Sequence, residues 1–569
     1  MMAYLGTERN AVGEGGEREQ SGVVGSKGLV LDDGMVAGRE EPPEDRSDER
    51  TAVRRNNKIL EVFPGREEFR CLARQGSVVP VYCELTADLE TPVSLFQKVA
   101  GTTPIAFILE SVEAGEKPGR YSFIGSQPFM TMRVQGESLE RVEIDDQGEE
   151  IREVFTSPDP LAEIQRELDR FQPVLLPGLP PFFGGAVGYV GYEAAGYCEP
   201  ILKRTGPDLG TDPEPDIFMM FTDYVLVFDH ARHTVKVIVN ARTGREEAER
   251  VYQRSREKLE ELVLRIRCGN GLDSGSAGEA EFFALPEDRD TLTPNMTPAE
   301  FERMVNKAKE HIQAGDIFQV VLSQRFTGEL RCPPFELYRA LRMVNPSPYL
   351  FYLDCGDIQL IGSSPESHVR VTGNRVWMRP IAGTRKRGGS PREDEMLERE
   401  LLSDEKELAE HVMLVDLARN DLGKLCEYGS VQVTGFSTIE RYSHVMHIVS
   451  GVQGELHPGI KPVEVLRATF PAGTVSGAPK IRAMQIIADL EPHRRGPYSG
   501  VVGYFGFSGN LDVCITIRTI TVREGRISIQ AGAGIVADSD PRKEYEETLN
   551  KARGMVVACR RAEKRGWYI

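Results

Sequence analysis

The sequence predicts an α/β chain, in the broad sense that includes α+β, and three observations carry that expectation. Strand-length apolar runs recur along it, among them Val78-Val79-Pro80-Val81-Tyr82, Phe107-Ile108-Leu109 and Tyr224-Val225-Leu226-Val227-Phe228. Stretches with helical spacing of apolar residues stand between such runs and after them. The length, 569 residues with 40% hydrophobic side chains, exceeds a usual single domain and supplies a sizeable core.

Taken in order, residues 1–57 are rich in Gly, Glu, Arg and Asp and poor in aromatics, which predicts a disordered acidic tail. An organelle presequence is nearly free of acids, whereas this tail carries Arg39-Glu-Glu-Pro-Pro-Glu-Asp-Arg-Ser-Asp-Glu49, so a cytoplasmic protein is expected. Region 58–268 mixes strands with helices: Pro92 to Ala100 reads as a short helix, Tyr224–Phe228 and Val235–Val239 as a hairpin, and Ala248 to Arg267 as a long charged helix. The glycines of Gly184-Gly-Ala-Val-Gly-Tyr-Val-Gly-Tyr192 lack dinucleotide spacing and a following Walker lysine, so they predict close backbone packing. Residues 269–296, which open on a Gly- and Ser-rich run, read as a linker.

Region 297–569 carries the candidate chemistry. Phe318 to Gln324 reads as a strand with Gln319 among apolar neighbours, Gly362-Ser363-Ser364-Pro365-Glu366 as a loop, and Thr516-Ile517-Arg518 as a strand. Two helices then present matched acids. In 404–421 an apolar stripe of Leu408, Val412, Val415 and the next-turn Leu422 is capped by Ser403 or Asp404, with Glu407 and Glu410 one turn apart. Asp540 and Pro541 open the other as N-cap and first residue; its stripe is Tyr545, Leu549, Ala552, Val556 and Cys559, with Glu544 and Glu547 one turn apart. Carboxylates so placed repel unless a cation lies between them. Each pair reads either as a solvated acidic face or as part of an oxygen-only site for a hard cation such as Mg2+. Glu407-x-x-Glu410-His411 matches neither zinc-protease motif.

The net charge of −18 opposes nucleic acid and anionic membrane as partners, and no apolar run reaches membrane-spanning length. An anionic substrate therefore needs a local cation. The nine cysteines include no Cys-x-x-Cys, which fits a reducing compartment, and each is expected as a small buried apolar residue, Cys514 excepted.

Motifs in fixed order carry a resemblance. Pro380-Ile381-Ala382-Gly383-Thr384-Arg385, then Glu407-x-x-Glu410-His411-x-Met413-Leu414-Val415-Asp416-Leu417-x-Arg419-Asn420-Asp421, then Glu544-x-x-Glu547-Thr548-x-Asn550-Lys551-Ala552 resemble the chorismate-utilising enzymes, and in detail the anthranilate synthase large-component family. The likeness runs from about Phe69 to about Ala562. It implies two sheets packed as a sandwich surrounded by helices, with N- and C-terminal segments intertwined. It also implies an Mg2+ site at Glu407, Glu410, Glu544 and Glu547.

Further roles follow from the same resemblance. Glu366 is the general acid toward the departing C4 hydroxyl, because hydroxide leaves poorly. Gln319 stands where isochorismate-forming relatives carry a water-activating lysine, and a neutral amide suits ammonia, already a nucleophile. Arg518 takes a substrate carboxylate, Tyr498 donates to the enolpyruvyl carboxylate, and Gly532, Ala533 and Gly534 offer amides to an anion. Gly383, Thr384 and Lys551 complete the substrate contacts, Thr474 reaches the ring, and His447, with an unperturbed pKa near ~6.5, serves as base. Of the nine histidines, His411 and His444 are expected to be structural. Ser111, Arg120, Pro348, Tyr349, Leu350, Val502, Tyr504 and Cys514 match the family's tryptophan inhibitor pocket, with Leu350 where methionine also occurs.

The implied reaction adds ammonia to chorismate at C2, giving aminodeoxyisochorismate, and then expels pyruvate to leave anthranilate. No Gly-x-Cys-x-Gly nucleophile elbow is present, so ammonia comes from glutamine on a separate amidotransferase subunit, in a heterotetramer of two large and two small subunits. Two rivals stand beside this reading: aminodeoxychorismate synthase component I, and a catalytically dead tryptophan-binding subunit. Ala382 and the intact acids weigh against them.

Overall fold

The computed structural model describes residues 60–101, 103–111, 119–145, 148–203, 214–243, 247–268, 292–442 and 445–564. The expected tail, most of the expected linker and His444 lie outside them. Two twelve-stranded sheets form the body. The first runs from Val78–Thr86 through Thr234–Arg242, Tyr224–Asp229, Tyr121–Ser126 and Ala106–Ser111 to Tyr349–Asp354, Ile358–Ser364, Thr519–Arg523, Arg526–Ile535 and Gln319–Glu329. The second contains Ile381–Lys386, Val445–Glu455, Arg375–Met378, Ser367–Thr372, Leu511–Ile515, Val501–Gly506, Gly185–Val190 and Ile217–Thr222 in that order, with further strands beyond. The halves of the chain interlock twice, Ala106–Ser111 beside Tyr349–Asp354 and Gly185–Val190 beside Val501–Gly506, both antiparallel.

Strands of both sheets contribute to one apolar cluster that includes Phe107, Tyr189, Phe351, Val502 and Cys514. Burial on both faces explains why these strands read as apolar runs and not as alternation, and each buried aromatic contributes on the order of 1.5–3 kcal/mol. Two larger clusters lie under the helices. The glycine-rich stretch is the strand Gly185–Val190. A Cβ on Gly185 or Gly188 would meet a neighbouring carbonyl oxygen at 2.1 or 1.9 Å, so these glycines serve close packing, as expected. Phe351 covers Gly362 on the adjacent strand, where a Cβ would lie 2.0 Å from the ring. That contact holds the register that sets Tyr349 opposite Ser364.

Several expectations are corrected. The Glu405–Gly423 helix is capped by Asp404, which accepts from the N–H groups of Lys406 and Glu407, but Val412 is exposed and the buried face is His411, Leu414, Val415, Ala418 and Leu422. The stripe is rotated because His411 is fully buried, its Nε2 2.7 Å from Ser450 Oγ on the strand beneath. On the Pro541–Glu563 helix, capped by Asp540, Leu549 is likewise exposed. Cys71 and Cys268 are exposed, not buried; Cys83, Cys355, Cys426, Cys514 and Cys559 are buried. The end of the expected linker is an edge strand, Thr293 and Pro294 pairing with Thr327 and Phe326. Gly362 to Ser364 finish a strand, so only Pro365-Glu366 remains of the expected loop, and residues 516–518 are a connection and not a strand. Among the described residues no helix is long and apolar enough to cross a membrane.

Candidate active site

Two connections cross side by side between the sheets. Pro365-Glu366 joins Ile358–Ser364 to Ser367–Thr372, and Thr516-Ile517-Arg518 joins Leu511–Ile515 back to Thr519–Arg523. They are laced together by Ile515 N–H to Glu366 O (3.0 Å), Ser363 N–H to Arg518 O (3.1 Å) and Ser364 Oγ to Ile515 O (2.7 Å). The expected acid and the expected guanidinium therefore sit on adjacent crossings. Arg518 adopts φ +51°, in the left-handed region that a non-glycine residue enters at some cost, and the surrounding lacing holds it there.

The Glu366 carboxyl is pushed up to about 7, chiefly by burial, against the opposing influence of Thr474 and Lys551. A carboxyl so raised is a proton donor near neutral pH. Thr474 lies beside it, its buried hydroxyl without another partner. Among the described residues no carboxylate stands within ion-pair distance of the Arg518 guanidinium; burial lowers its pKa, while Tyr498 and the Glu547 charge oppose that. Tyr498 is kept protonated by burial and so remains a donor.

Strand pairing explains the glycine amides. Ser323 stands opposite Gly532 and Val321 opposite Gly534. Neither gives its N–H to that ladder: Ser323 N–H goes to Glu491 Oε1 (2.8 Å) and Val321 N–H to Ser476 O (2.9 Å). Such positions are the non-bonded pairs of an antiparallel ladder, so the N–H and C=O groups of Gly532 and Gly534 point away from Gln319–Glu329. On that far side the next strand's pairing has already stopped at Ile529, and Gly532 O accepts from Lys551 Nζ (2.8 Å). A Cβ on Gly532 would meet the Tyr498 hydroxyl, and one on Gly534 the Gln319 amide, each at 2.8 Å. Ala533 turns into the core instead. Glu491 is itself held by Arg495, which is 2% exposed and also donates to the carbonyls of Val321 and Val475. Sequence reasoning missed this Arg495–Glu491 pair; the only signal was two charges four apart, which read as surface.

His447 comes from Val445–Glu455, opposite Thr384. Gly383 makes a bulge there at φ +62°, and a Cβ would press on Leu401 and Glu407. The bulge aims the Gly383 carbonyl at His447 Nδ1 (3.0 Å), and Thr384 Oγ1 lies 3.1 Å from the same nitrogen. Donation from Nδ1–H to the carbonyl assigns Nε2 as the basic nitrogen, and burial keeps the ring below its usual pKa, hence neutral.

The four expected metal-site acids do not converge. Glu407 is held by Arg385 (3.1 Å), Glu410 by Gln319 Nε2 (2.9 Å) and Glu547 by Lys551 (2.7 Å). Among the described residues no group of three or more His, Cys, Asp or Glu is close enough to hold a metal. The donor set nevertheless fits a hard cation: all four acids offer carboxylate oxygens, and the Glu544 pKa is raised, chiefly by burial and also by the Glu547 charge.

Of the expected inhibitor residues, Ser111, Tyr349, Leu350, Val502, Tyr504 and Cys514 line one cavity between the sheets, joined by Tyr121, Phe123 and Asp512. Arg120 and Pro348 stand outside the lining, Arg120 bound to Asp229 (3.1 Å). A larger cavity, about 390 Å³, lies elsewhere, walled by charges that pair with one another such as Asp216 with Arg494.

Residues 110–557 match the family described as chorismate binding enzyme. The chain is 47% identical over 511 residues to anthranilate synthase component 1 of Synechocystis sp., covering 88% of this chain and 99% of that one. It is 47% identical over 503 residues to the protein of the same name in Aquifex aeolicus, covering 88% and 98%. The crystal structure of anthranilate synthase component I from Streptococcus pneumoniae TIGR4 superposes with a TM-score of 0.64 at 37% identity, over 83% of this chain and 98% of that one. The chain belongs to the chorismate binding enzyme family. Within it, the relatives named anthranilate synthase component 1 are those it resembles along nearly their whole length.

Proposed function

We propose that this chain converts chorismate and ammonia to anthranilate and pyruvate. One observation carries the reading: a half-buried guanidinium, Arg518, with no carboxylate within ion-pair distance among the described residues, beside outward-facing amides of Gly532 and Gly534 and across from Glu366, whose carboxyl is pushed up to about 7. Two anion-binding elements and one proton donor match a dicarboxylate whose hydroxyl must leave.

Arg518 and Tyr498 hold one carboxylate, and the amides of Gly532 and Gly534 the other. Ammonia adds at C2 as both ring double bonds shift, the C4–O bond breaks, Glu366 gives its proton to the departing hydroxyl, which leaves as water, and the added nitrogen releases its extra proton. The adduct is aminodeoxyisochorismate. His447 Nε2 then removes the C2 proton, the enolpyruvyl ether bond breaks, pyruvate departs and the ring becomes aromatic. Thr384 and the Gly383 carbonyl keep Nε2 basic, and Gln319 offers no base that would activate water instead. Glu410 and Glu547, with Glu407 and Glu544, would hold Mg2+, which when bound offsets the charge of the ring carboxylate.

Region 297–569 carries every catalytic group in this reading, and 58–268 adds Ser111 to a pocket for tryptophan as feedback inhibitor. The ammonia comes from a separate glutamine amidotransferase, two of each subunit forming a heterotetramer in the cytoplasm. The test is incubation of purified protein with chorismate, Mg2+ and ammonium: anthranilate fluorescence should rise, and its absence with chorismate intact would refute the assignment.

A further inference from the structure

The connection that carries Glu366 is two residues long, and the strand ends it joins, Ser364 and Ser367, each stand opposite a residue that lines the cavity described above. Ser364 stands opposite Tyr349 in the first sheet, and Ser367 opposite Cys514 in the second. Side chains cross the other way: the Cys514 thiol lies against the Ser364 hydroxyl, and the Tyr349 phenol beside the Ser367 hydroxyl. Tyr349 also donates to Asp512 Oδ1 (3.0 Å), another lining residue. Ser364 is fully buried, and its hydroxyl is the hub. It donates to Ile515 O at 2.7 Å and lies 3.4 Å from both the N–H and the carbonyl of Glu366. Pro365, with φ fixed by its ring, leaves little slack between the two sheets.

We propose that Ser364 is a positioning residue for Glu366, and that the Ser364–Ser367 crossing is the physical link by which an amino acid bound between Tyr349 and Cys514 switches catalysis. The inference rests on the reading of that cavity as an inhibitor site and of Glu366 as the acid, and goes beyond both by naming what joins them. A ligand in the cavity touches Tyr349 on one sheet and Cys514 on the other. Any separation of those strands pulls the two ends of the crossing apart, and Glu366 is withdrawn from Thr474. Linkage requires the converse: a ligand that holds Glu366 in place weakens tryptophan binding by the same factor.

The test uses the full chain with Ser364→Ala and, separately, Ser367→Ala. In ammonia-driven turnover, Ser364→Ala should lower kcat roughly tenfold or more while the KM for chorismate changes less than about twofold, because Arg518 and the glycine amides still bind substrate. Tryptophan affinity is measured directly by calorimetry, with and without a non-reactive chorismate analogue. In the wild type the analogue should weaken tryptophan binding at least about fivefold; in either variant tryptophan should still bind, but that ratio should fall toward one. An unchanged ratio in both variants overturns the proposal, as does a Ser364→Ala enzyme with wild-type kcat. Failure of tryptophan to bind the wild type at all would refute the inhibitor-site reading instead, and the kcat arm would then still judge the positioning role.

Discussion

Glu366→Gln separates the chemistry of this site from its stability. The Glu366 carboxyl titrates at about 7 in the folded chain against a usual 4.5, because burial disfavours its charged form. Below pH 4.5 the group is protonated whether the chain is folded or not, and nothing is lost. As pH rises from 4.5 through 7 the folded state holds a proton that the unfolded state has released, and the stability contributed by the neutral acid is progressively lost. Above 7 the cost is complete, about 3 kcal/mol for a shift of this size. Glutamine is neutral at every pH and nearly the same shape. The variant should therefore be more stable than the wild type by about 3 kcal/mol at pH 8.5 and by less than about 1 kcal/mol at pH 5, while its turnover falls by roughly a hundredfold or more. Urea denaturation followed by circular dichroism at the two pH values, run beside the anthranilate assay, reads both quantities. A stability difference independent of pH, or a wild type that outlasts the variant at pH 8.5, would show a solvated or ion-paired carboxylate and remove Glu366 as the proton donor.

The remaining predictions concern the metal, the inhibitor, the second step and the product. Chelation should abolish turnover, and Glu410→Gln or Glu547→Gln should do the same with an unchanged circular dichroism spectrum; full activity in chelator would dismiss the cation. Ser111→Arg should raise the tryptophan concentration for half inhibition at least tenfold, or about 1.4 kcal/mol, with catalysis spared, and equal loss of both would make Ser111 structural. His447→Met should consume chorismate and ammonia yet accumulate aminodeoxyisochorismate on chromatography; a wild-type anthranilate yield would take His447 out of the mechanism. Ala382, 8% exposed and one residue before the Gly383 bulge, offers only a methyl group where many aminodeoxychorismate synthases carry a nucleophilic lysine. The product should thus be 2-aminobenzoate, and 4-amino-4-deoxychorismate as the main product would overturn the assignment.

The sequence by itself determined what is local. Ser403-Asp404 and Asp540 announce helix starts, the Tyr224 and Val235 runs announce a hairpin, and the order of motifs around Gly383, Glu410 and Glu547 announces the family. Each rests on spacing within a few residues, where side-chain chemistry acts on its own backbone. Tertiary structure alone decided the rest. Which helix face is buried depended on Ser450 being beneath His411, so the stripe read through Val412 was turned. Which way the Gly532 and Gly534 amides face depended on their register against Gln319–Glu329, which also leaves the Ser323 N–H to Glu491, 168 residues away. The raised pKa of Glu366 and the half-buried guanidinium of Arg518 arise where two crossings meet between sheets, and burial there is the sum of neighbours drawn from distant segments. Periodicity records which residues avoid water. It carries no record of which partner meets them, because hydrogen-bond satisfaction and desolvation are properties of the assembled neighbourhood.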